Sequence, residues 1–394
     1  MEDQNIQIRI VQKIEEFLAL QNEWESLCNE LGKQVTVFAS FTWYETWWRY
    51  YGSVAELFLL TMWEKGRLVG IAPLMRKKIN LHGLPVKIIC FLENHQSRHN
   101  DFIVLPYFRK IFFQRVFQHI KQNSDLWDVI ILRFLPTSSP QYTDLLGTLN
   151  KDKKSWQQVR TWTDSPYLLP NGSWHDYLAS RSLRTRKNLR NIHNRMNRAG
   201  QSMILNIKNW EDFSKIKEDF FNIAKESWTE KIGDSIASPV NRDFFETLIC
   251  HAAEKGWLSI WVLQLNGKLI AVELHLRAFG KEHALRSHYL PEFSSLSPGT
   301  FLEMKILENI FSENEKVDYY DFGGGFETYK MKWTANSVPH NSIFIFNKNI
   351  YSRFIKFYVG GFNYLKNYAR NREIRWPPED LQWFIKILFN LKQR

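Results

Sequence analysis

Cysteine is scarce in this chain: Cys28, Cys90 and Cys250 are its only three in 394 residues, and they lie far apart. That spacing excludes a disulfide framework and a cysteine-based zinc cluster. It leaves at least one thiol unpaired, so a reducing cytoplasm is the expected compartment. No apolar run reaches membrane-spanning length, and the polar start Met1-Glu2-Asp3-Gln4 has no signal-peptide core. Walker and dinucleotide fingerprints are missing, and so is a Gly-x-Ser-x-Gly elbow, which leaves Ser138-Ser139-Pro140 a plain loop. His95-x-x-x-His99 with Asp101 has histidines at a ligand-like spacing but no cysteine and no clear helix, so no metal is expected. Acidic residues are outnumbered, 41 against 52 basic ones, giving a net charge of +11. Such a surface attracts nucleic acid, anionic lipid or a phosphorylated cofactor, or is a solvated basic surface and nothing more.

Aromatics are plentiful: 15% of residues, with 16 Trp and 29 Phe. They supply a well-filled core and line apolar clefts. The length suggests two domains or one large α/β unit. An order of events occurs twice. First come a helix at Phe41–Trp48, a strand Glu56–Trp63, a turn at Glu64-Lys65-Gly66 and a strand Leu68–Met75, then a helix Arg109–Lys121 and a strand Trp127–Phe134. Later come a helix Arg242–Glu254, a strand Trp257–Leu265, an Asn266-Gly267 turn and a strand Lys268–Arg277. A Gly280-Lys281 turn and a third strand follow, then a helix Thr300–Ser312 and a strand Val317–Phe322. Asn-Gly suits a tight hairpin because both residues tolerate positive φ. Phe301, Met304, Ile306 and Ile310 make a stripe at helical spacing.

Between the repeats, Ser173–Ala199 reads as one helix stopped by Gly200. Leu189, Ile192, Met196 and Ala199 share one face; Arg184, Lys187, Asn191, Arg195 and Arg198 share another. That basic face is either a ledge for an anion, such as a cofactor phosphate or an acidic glycan, or a solvated flank. The expected division is 1–170, a linking helix at 171–200, 201–348, and a basic aromatic tail at 349–394. The tail either touches an anionic membrane weakly or packs back on the protein.

Several motifs in order resemble the cellulose-biosynthesis acetyltransferase-like (CelD/BcsL-like) branch of the GNAT acyltransferase superfamily. They are Trp43-x-x-x-Trp47-Trp48, Leu68–Leu74, Asn100-Asp101-Phe102, the Arg-rich stretch 184–198, Ser297-Pro298-Gly299-Thr300, Asp321-Phe322-Gly323, and Tyr329-Lys330-x-x-Trp333. The likeness spans residues 35–345, and the chain is more distantly similar to FemABX-type transferases. The resemblance implies an α/β (α+β) fold of tandem GNAT-like halves, with mixed sheets flanked by helices. It implies that the second half binds acetyl-CoA or another acyl-CoA as co-substrate. The strand His283–Leu290 would be central and would splay from Val317–Phe322 to admit the pantetheine arm. The loop Phe293–Thr300 would cradle the pyrophosphate. Ser294, Ser295, Ser297 and Thr300 offer hydroxyls there, and Gly299 admits close backbone approach at a helix start. The family's usual Gln/Arg-x-x-Gly-x-Gly/Ala loop is replaced by Ser-Pro-Gly-Thr.

Acyl transfer needs a base and an oxyanion donor. Glu273, mid-strand among apolar neighbours, and His288, sharing a strand face with Arg286, are the candidate bases, or else core residues with satisfied hydrogen bonds. Tyr329 stands where GNAT enzymes often keep a general acid. Lys330 either holds a substrate carboxylate or phosphate or pairs with Asp321; with Trp333 these form the candidate substrate-binding set. The expected activity is acyl-CoA-dependent transfer to an amine or hydroxyl of a small molecule or glycan, with surface-polysaccharide assembly the setting that the resemblance suggests. Alternatives are FemX-like aminoacyl-tRNA-dependent transfer, or non-catalytic binding of nucleic acid or glycan. Nucleic acid is disfavoured because no recognised binding module is present.

Overall fold

Tight turns fix the strand pairings in both halves. Lys65-Gly66, Asn266-Gly267 and Phe279-Gly280 each place both central residues at positive φ: 49° and 81°, 50° and 81°, and 54° and 75°. This is the twist that antiparallel neighbours demand. The third turn lies one residue earlier than its sequence suggests. The computed structural model describes residues 6–81, 83–94, 96–97, 99–151, 156–227, 235–312, 317–325 and 329–358. His95 and the tail beyond residue 358 lie outside the described residues.

In the first half β1 (Ile6–Val11), β3 (Leu59–Glu64), β4 (Arg67–Ala72) and β7 (Ile103–Val104) form a four-stranded sheet in that order. β2 (Glu56–Leu57) and β5 (Leu74–Leu81) continue β3 and β4 beyond Phe58 and Pro73 into a second sheet. Proline has no amide to give a ladder, so the strand changes sheets there. β5 pairs with β6 (Leu84–Phe91), which runs parallel to β8 (Val129–Pro136). Helix α4 (Arg109–Gln122) lies between β6 and β8 in sequence.

The second half repeats this order. β10 (Ser202–Ile207), β11 (Leu258–Leu265), β12 (Lys268–Ala278) and β13 (Lys281–Tyr289) are antiparallel neighbours. Helix α10 (Pro298–Ser312) then leads to β14 (Tyr319–Asp321), parallel to β13. Ahead of these elements stand α1 (Ile14–Leu18), α2 (Gln21–Leu31) and α3 (Phe41–Tyr51) in the first half; α8 (Trp210–Glu226) and α9 (Pro239–Glu254) belong to the second.

Two long strands lock the halves together. β9 (Trp156–Leu168), reached through α5 (Pro140–Lys151), belongs in sequence to the first half yet pairs with β14 of the second. β15 (Ser337–Phe346) belongs to the second yet pairs with β8 of the first. β9 and β15 also pair with each other, from Ser337↔Pro166 to Phe346↔Trp156. One eleven-stranded sheet results, in the order β10-β11-β12-β13-β14-β9-β15-β8-β6-β5-β2. Helices add a second seam. On α3, Trp43 meets Phe244 of α9 edge-on at 5.9 Å, and the Tyr50 and Tyr51 hydroxyls bond Thr247 and Asn241 at 2.6 and 2.8 Å. The Trp43-x-x-x-Trp47-Trp48 motif is thus a core and inter-half motif. Each fully buried ring there contributes on the order of 2–3 kcal/mol.

The linking segment is two helices, α6 (Trp174–Ala179) and α7 (Leu183–Ala199), not one. Ser182 breaks the run: its hydroxyl accepts from the Thr185 amide and starts a new helix. α7 buries Leu189, Ile192 and Met196 and exposes Arg184, Lys187, Arg195 and Arg198.

Candidate functional site

The cavity that gathers chemistry opens where β13 leaves β14. Their parallel pairing runs Lys281↔Tyr319, Glu282↔Tyr320, His283↔Asp321 and then stops, while β13 continues alongside β12 to Tyr289. Gly323 turns the chain away immediately after β14. Its φ is +78°, and a Cβ there would lie 2.7 Å from the Ala284 carbonyl oxygen, so only glycine fits. The cavity holds about 140 Å³. β12 contributes Glu273, α10 contributes Glu303, and β13 contributes His283 through His288. Tyr329 and Lys330 close one side. The first half supplies Phe38, Gln96 and His99, and the exchanged strands supply Ser165 and His340.

Two groups of ionisable side chains lie at it; Glu273, Glu303, His288, His283 and Asp321 are in its lining, and His275 and Glu282 are not. The first is acidic. Glu273 Oε2 lies 3.2 Å from His275 Nε2, and His275 Nδ1 lies 2.9 Å from Glu282 Oε1; all three are buried. Burial alone would lower the His275 imidazolium, but hydrogen bonds to the two glutamates and their charges outweigh it and raise it to about 10. Glu282 is correspondingly held below the usual carboxylate range: burial opposes this and the imidazolium overcomes it. Glu303 beside them is pushed well above that range by burial and by the Glu273 charge. It accepts a hydrogen bond from the Tyr320 hydroxyl at 2.9 Å. His288 is 1% exposed, and neither ring nitrogen has a partner among the described residues. Burial, with Arg286 nearby, lowers it to about 3 and keeps the ring neutral.

The second group sits at the apex of the splay. Asp321 Oδ2 lies 3.1 Å from His283 Nδ1; its other oxygen accepts from the Ser165 hydroxyl at 2.6 Å and the Gly323 amide at 2.9 Å. Burial would raise this carboxyl, but the hydrogen bonds from His283 and Ser165 hold it far below its ordinary range. His283 Nε2 is buried and has no partner among the described residues. Phe38 meets the His283 ring at 5.1 Å, and His99 lies 6.2 Å away. Burial first, then the neighbouring His340 and His283, keep His99 neutral.

The sequence-marked residues do not all meet here. Glu273, His288, Asp321, Tyr329 and Lys330 line the cavity. Lys330 is 5% exposed and donates to the Gly323 carbonyl at 3.0 Å, which places it as a support of the turn after β14. Trp333 is not at the cavity. Its ring is 1% exposed in the core, and its carbonyl accepts from Tyr177 and Arg181 at 2.6 and 2.9 Å.

The hydroxyl-rich loop lies beyond the far end of β13, at the head of α10. Ser294 and Ser295 are exposed in a 3-10 turn, and Ser297 takes a left-handed φ of 56°. Pro298 opens the helix, so the amides of Gly299 and Thr300 point out of its first turn and have no partner among the described residues. A Cβ at Gly299 would meet only the Tyr289 ring, at 3.7 Å. Arg195 of α7 reaches Ser297 Oγ at 3.3 Å, bringing a guanidinium to the helix head. Open amides, a helix dipole and a cation fit phosphate oxygens.

Glu303, His275, Glu282, His283, Gln96 and His99 were not legible as site residues. A glutamate inside the apolar stripe of α10 was the one local signal, pointing to Glu303. Among the described residues, no group of three or more His, Cys, Asp or Glu is arranged to hold a metal ion, and no helix is long and apolar enough to cross a membrane.

Residues 184–331 match a family model described as "Acetyltransferase (GNAT) domain". No curated protein matches the chain. Solved structures resemble it in fold. FemX has a TM-score of 0.58 at 13% identity, covering 84% of this chain and 97% of that one. A conserved protein of unknown function from Bacteroides thetaiotaomicron scores 0.52 at 11%, covering 86% and 100%. L-PGS from Bacillus licheniformis scores 0.50 at 11%, covering 86% and 96%. Residues 184–331 therefore resemble a GNAT acetyltransferase domain, set in a chain with a tandem GNAT-like α/β fold.

Proposed function

We propose that this protein moves a short acyl group from the thioester of coenzyme A to an amine or hydroxyl of a small-molecule or glycan acceptor held between the two halves. The parting of β13 and β14 carries the reading. It opens a polar cavity at one end, and at the other β13 leads to a helix head with free amides and a cation. On this reading Ser294, Ser295, Ser297, Gly299 and Thr300 surround the carrier's phosphates, and its arm lies in the splay. The small volume and the glutamate and histidine walls favour an acetyl-sized group over a long apolar chain.

In the reaction the acceptor's nitrogen or oxygen bonds to the thioester carbon, the C–S bond breaks, and the acceptor's proton passes to the cavity wall. Glu273, its charge matched by the His275 imidazolium, orients the nucleophile by accepting its hydrogen bond. Neutral His288 donates an N–H to the developing oxyanion, a role open to a buried imidazole that stays uncharged. Tyr329, 43% exposed at the rim, protonates the departing thiolate. Asp321 and Lys330 shape the acceptor's side of the cavity, and Trp333 supports them from the core. The CelD/BcsL-like resemblance favours an acceptor in surface-polysaccharide assembly. Three unpaired cysteines favour the cytoplasm.

A second reading is aminoacyl transfer from tRNA. The fold likeness to FemX and the basic face of α7 favour it. The test is release of free thiol from acetyl-CoA across a panel of amino sugars, sugars and amino acids. Acceptor-dependent release supports the first reading. No release with any acceptor, alongside consumption of charged tRNA, would replace it with the second.

A further inference from the structure

We infer that His283, held by Asp321, is the general base of this site: its Nε2 takes the proton from the acceptor's nucleophile. This rests on the acyl-transfer reading above and assigns a residue that neither sequence pattern nor likeness marks.

The geometry is that of an oriented base. Asp321 is fixed on three sides. Ser165 from the exchanged strand β9 and the Gly323 amide occupy one carboxylate oxygen, and His283 Nδ1 faces the other at 3.1 Å. A carboxylate can only accept, so Nδ1 carries the hydrogen, and in the neutral ring Nε2 keeps its lone pair. Nε2 is buried with no partner among the described residues, and His283 is part of the cavity wall. A buried nitrogen without a partner is costly unless a ligand completes it. The ring cannot swing to another partner, because Phe38 packs edge-on at 5.1 Å and β13 is paired with β14 at this residue.

The rival base is less free. Glu273 already faces the His275 imidazolium, and the Glu303 acid lies beside it. A carboxylate in that setting suits orienting a nucleophile, and the lone pair at His283 suits taking its proton. The step balances. The acceptor's X–H proton goes to Nε2, X bonds to the thioester carbon, the C–S bond breaks, and the thiolate takes a proton at the rim. The imidazolium so formed is stabilised by Asp321 and returns its proton to water.

The two walls also explain why the first half is retained. The segment after β6 occupies the place in the first half that the phosphate-loop segment after β13 occupies in the second. It sends Gln96 and His99 into this cavity, with Gln96 hydrogen-bonded to Arg286 of β13. The acceptor's pole of the site is thus built by both halves.

The experiment uses the full chain, acetyl-CoA as donor, and two nucleophiles: water, which must lose a proton to attack, and hydroxylamine, already uncharged at neutral pH. His283→Gln and Asp321→Asn are compared with wild type, with folding checked by circular dichroism. The expected result is a fall in hydrolysis of roughly 10²–10⁴-fold in His283→Gln, with hydroxylamine transfer reduced far less. Equal loss with both nucleophiles, or no loss with either, overturns the assignment. The ring's tautomer, read from long-range ¹H–¹⁵N correlations in wild type, is the second measurement and needs no substrate. Protonation at Nδ1 with Nε2 bare is expected, and the opposite tautomer refutes the inference. Wild-type protein that cleaves no acetyl-CoA while showing the expected tautomer would overturn the donor reading alone.

Discussion

His275 is the residue whose removal should be felt most. It stands between Glu273 and Glu282, at 3.2 and 2.9 Å, with none of the three in contact with solvent to any useful degree. The trio is stable because one imidazolium matches two carboxylates, with the Glu303 carboxyl pushed upward by burial alongside. Breaking a buried ion pair by removing one partner costs about 3–5 kcal/mol, since the remaining charge stays buried. His275→Ala is expected to lose about that much in urea unfolding at neutral pH; a loss below about 1 kcal/mol would show that the glutamates are not both charged. Little of this was legible in sequence. A glutamate among apolar strand neighbours marks Glu273, and strand position marks His288. Nothing local says that His275 and Glu282, on two different strands, meet side chain to side chain, or that Asp321 finds His283 rather than Lys330.

Among the elements, the short β14 and the glycine after it control the site. β14 gives only three residue pairs to β13 before Gly323 takes the chain away. Gly323→Ala would put a methyl group 2.7 Å from a backbone oxygen, at a φ that side chains rarely adopt. The variant is expected to be less stable by about 1–3 kcal/mol and to lose most of its transferase activity, because β13 and the turn must move apart. Full activity with unchanged stability would mean that the splay does not depend on this turn. The elements themselves were largely readable. Turn residues and apolar runs located three hairpins within a residue and missed the β5–β6 hairpin, and the stripe of α10 located that helix. The break between α6 and α7 was missed because Ser182 sits inside an otherwise continuous helical pattern and acts through its cap. β9 was missed for a different reason. Its sequence, Trp-Gln-Gln-Val-Arg-Thr-Trp-Thr-Asp-Ser-Pro-Tyr-Leu, is polar and carries a proline, and only long-range pairing makes it a strand.

Taken whole, the molecule repeats one order of elements in two halves that exchange their last strands. Each half is completed by a strand from the other, and Ser165 on β9 and His340 on β15 carry that exchange into the cavity. The repeat of order was visible in sequence; the trade was not, since it is a matter of which edges pair. Calorimetry of the full chain is expected to show one cooperative transition. The fragment 201–348 made alone, lacking both β8 and β9, is expected to show no near-ultraviolet dichroism of a packed core. Two separate transitions, or a folded fragment, would mean that the exchanged strands contribute little.

The central claim is that the carrier binds along the β13–β14 splay with its phosphates at the head of α10. Isothermal titration with acetyl-CoA and with a long-chain acyl-CoA, on wild type and on Gly299→Trp, tests it most directly. Residue 299 has ordinary backbone geometry and open surroundings, so the tryptophan should fold while covering the free amides. The account predicts micromolar binding of acetyl-CoA, no added affinity from the long chain, and loss of binding in Gly299→Trp. Absence of binding to either carrier by folded wild-type protein, or binding untouched by the tryptophan, would contradict it.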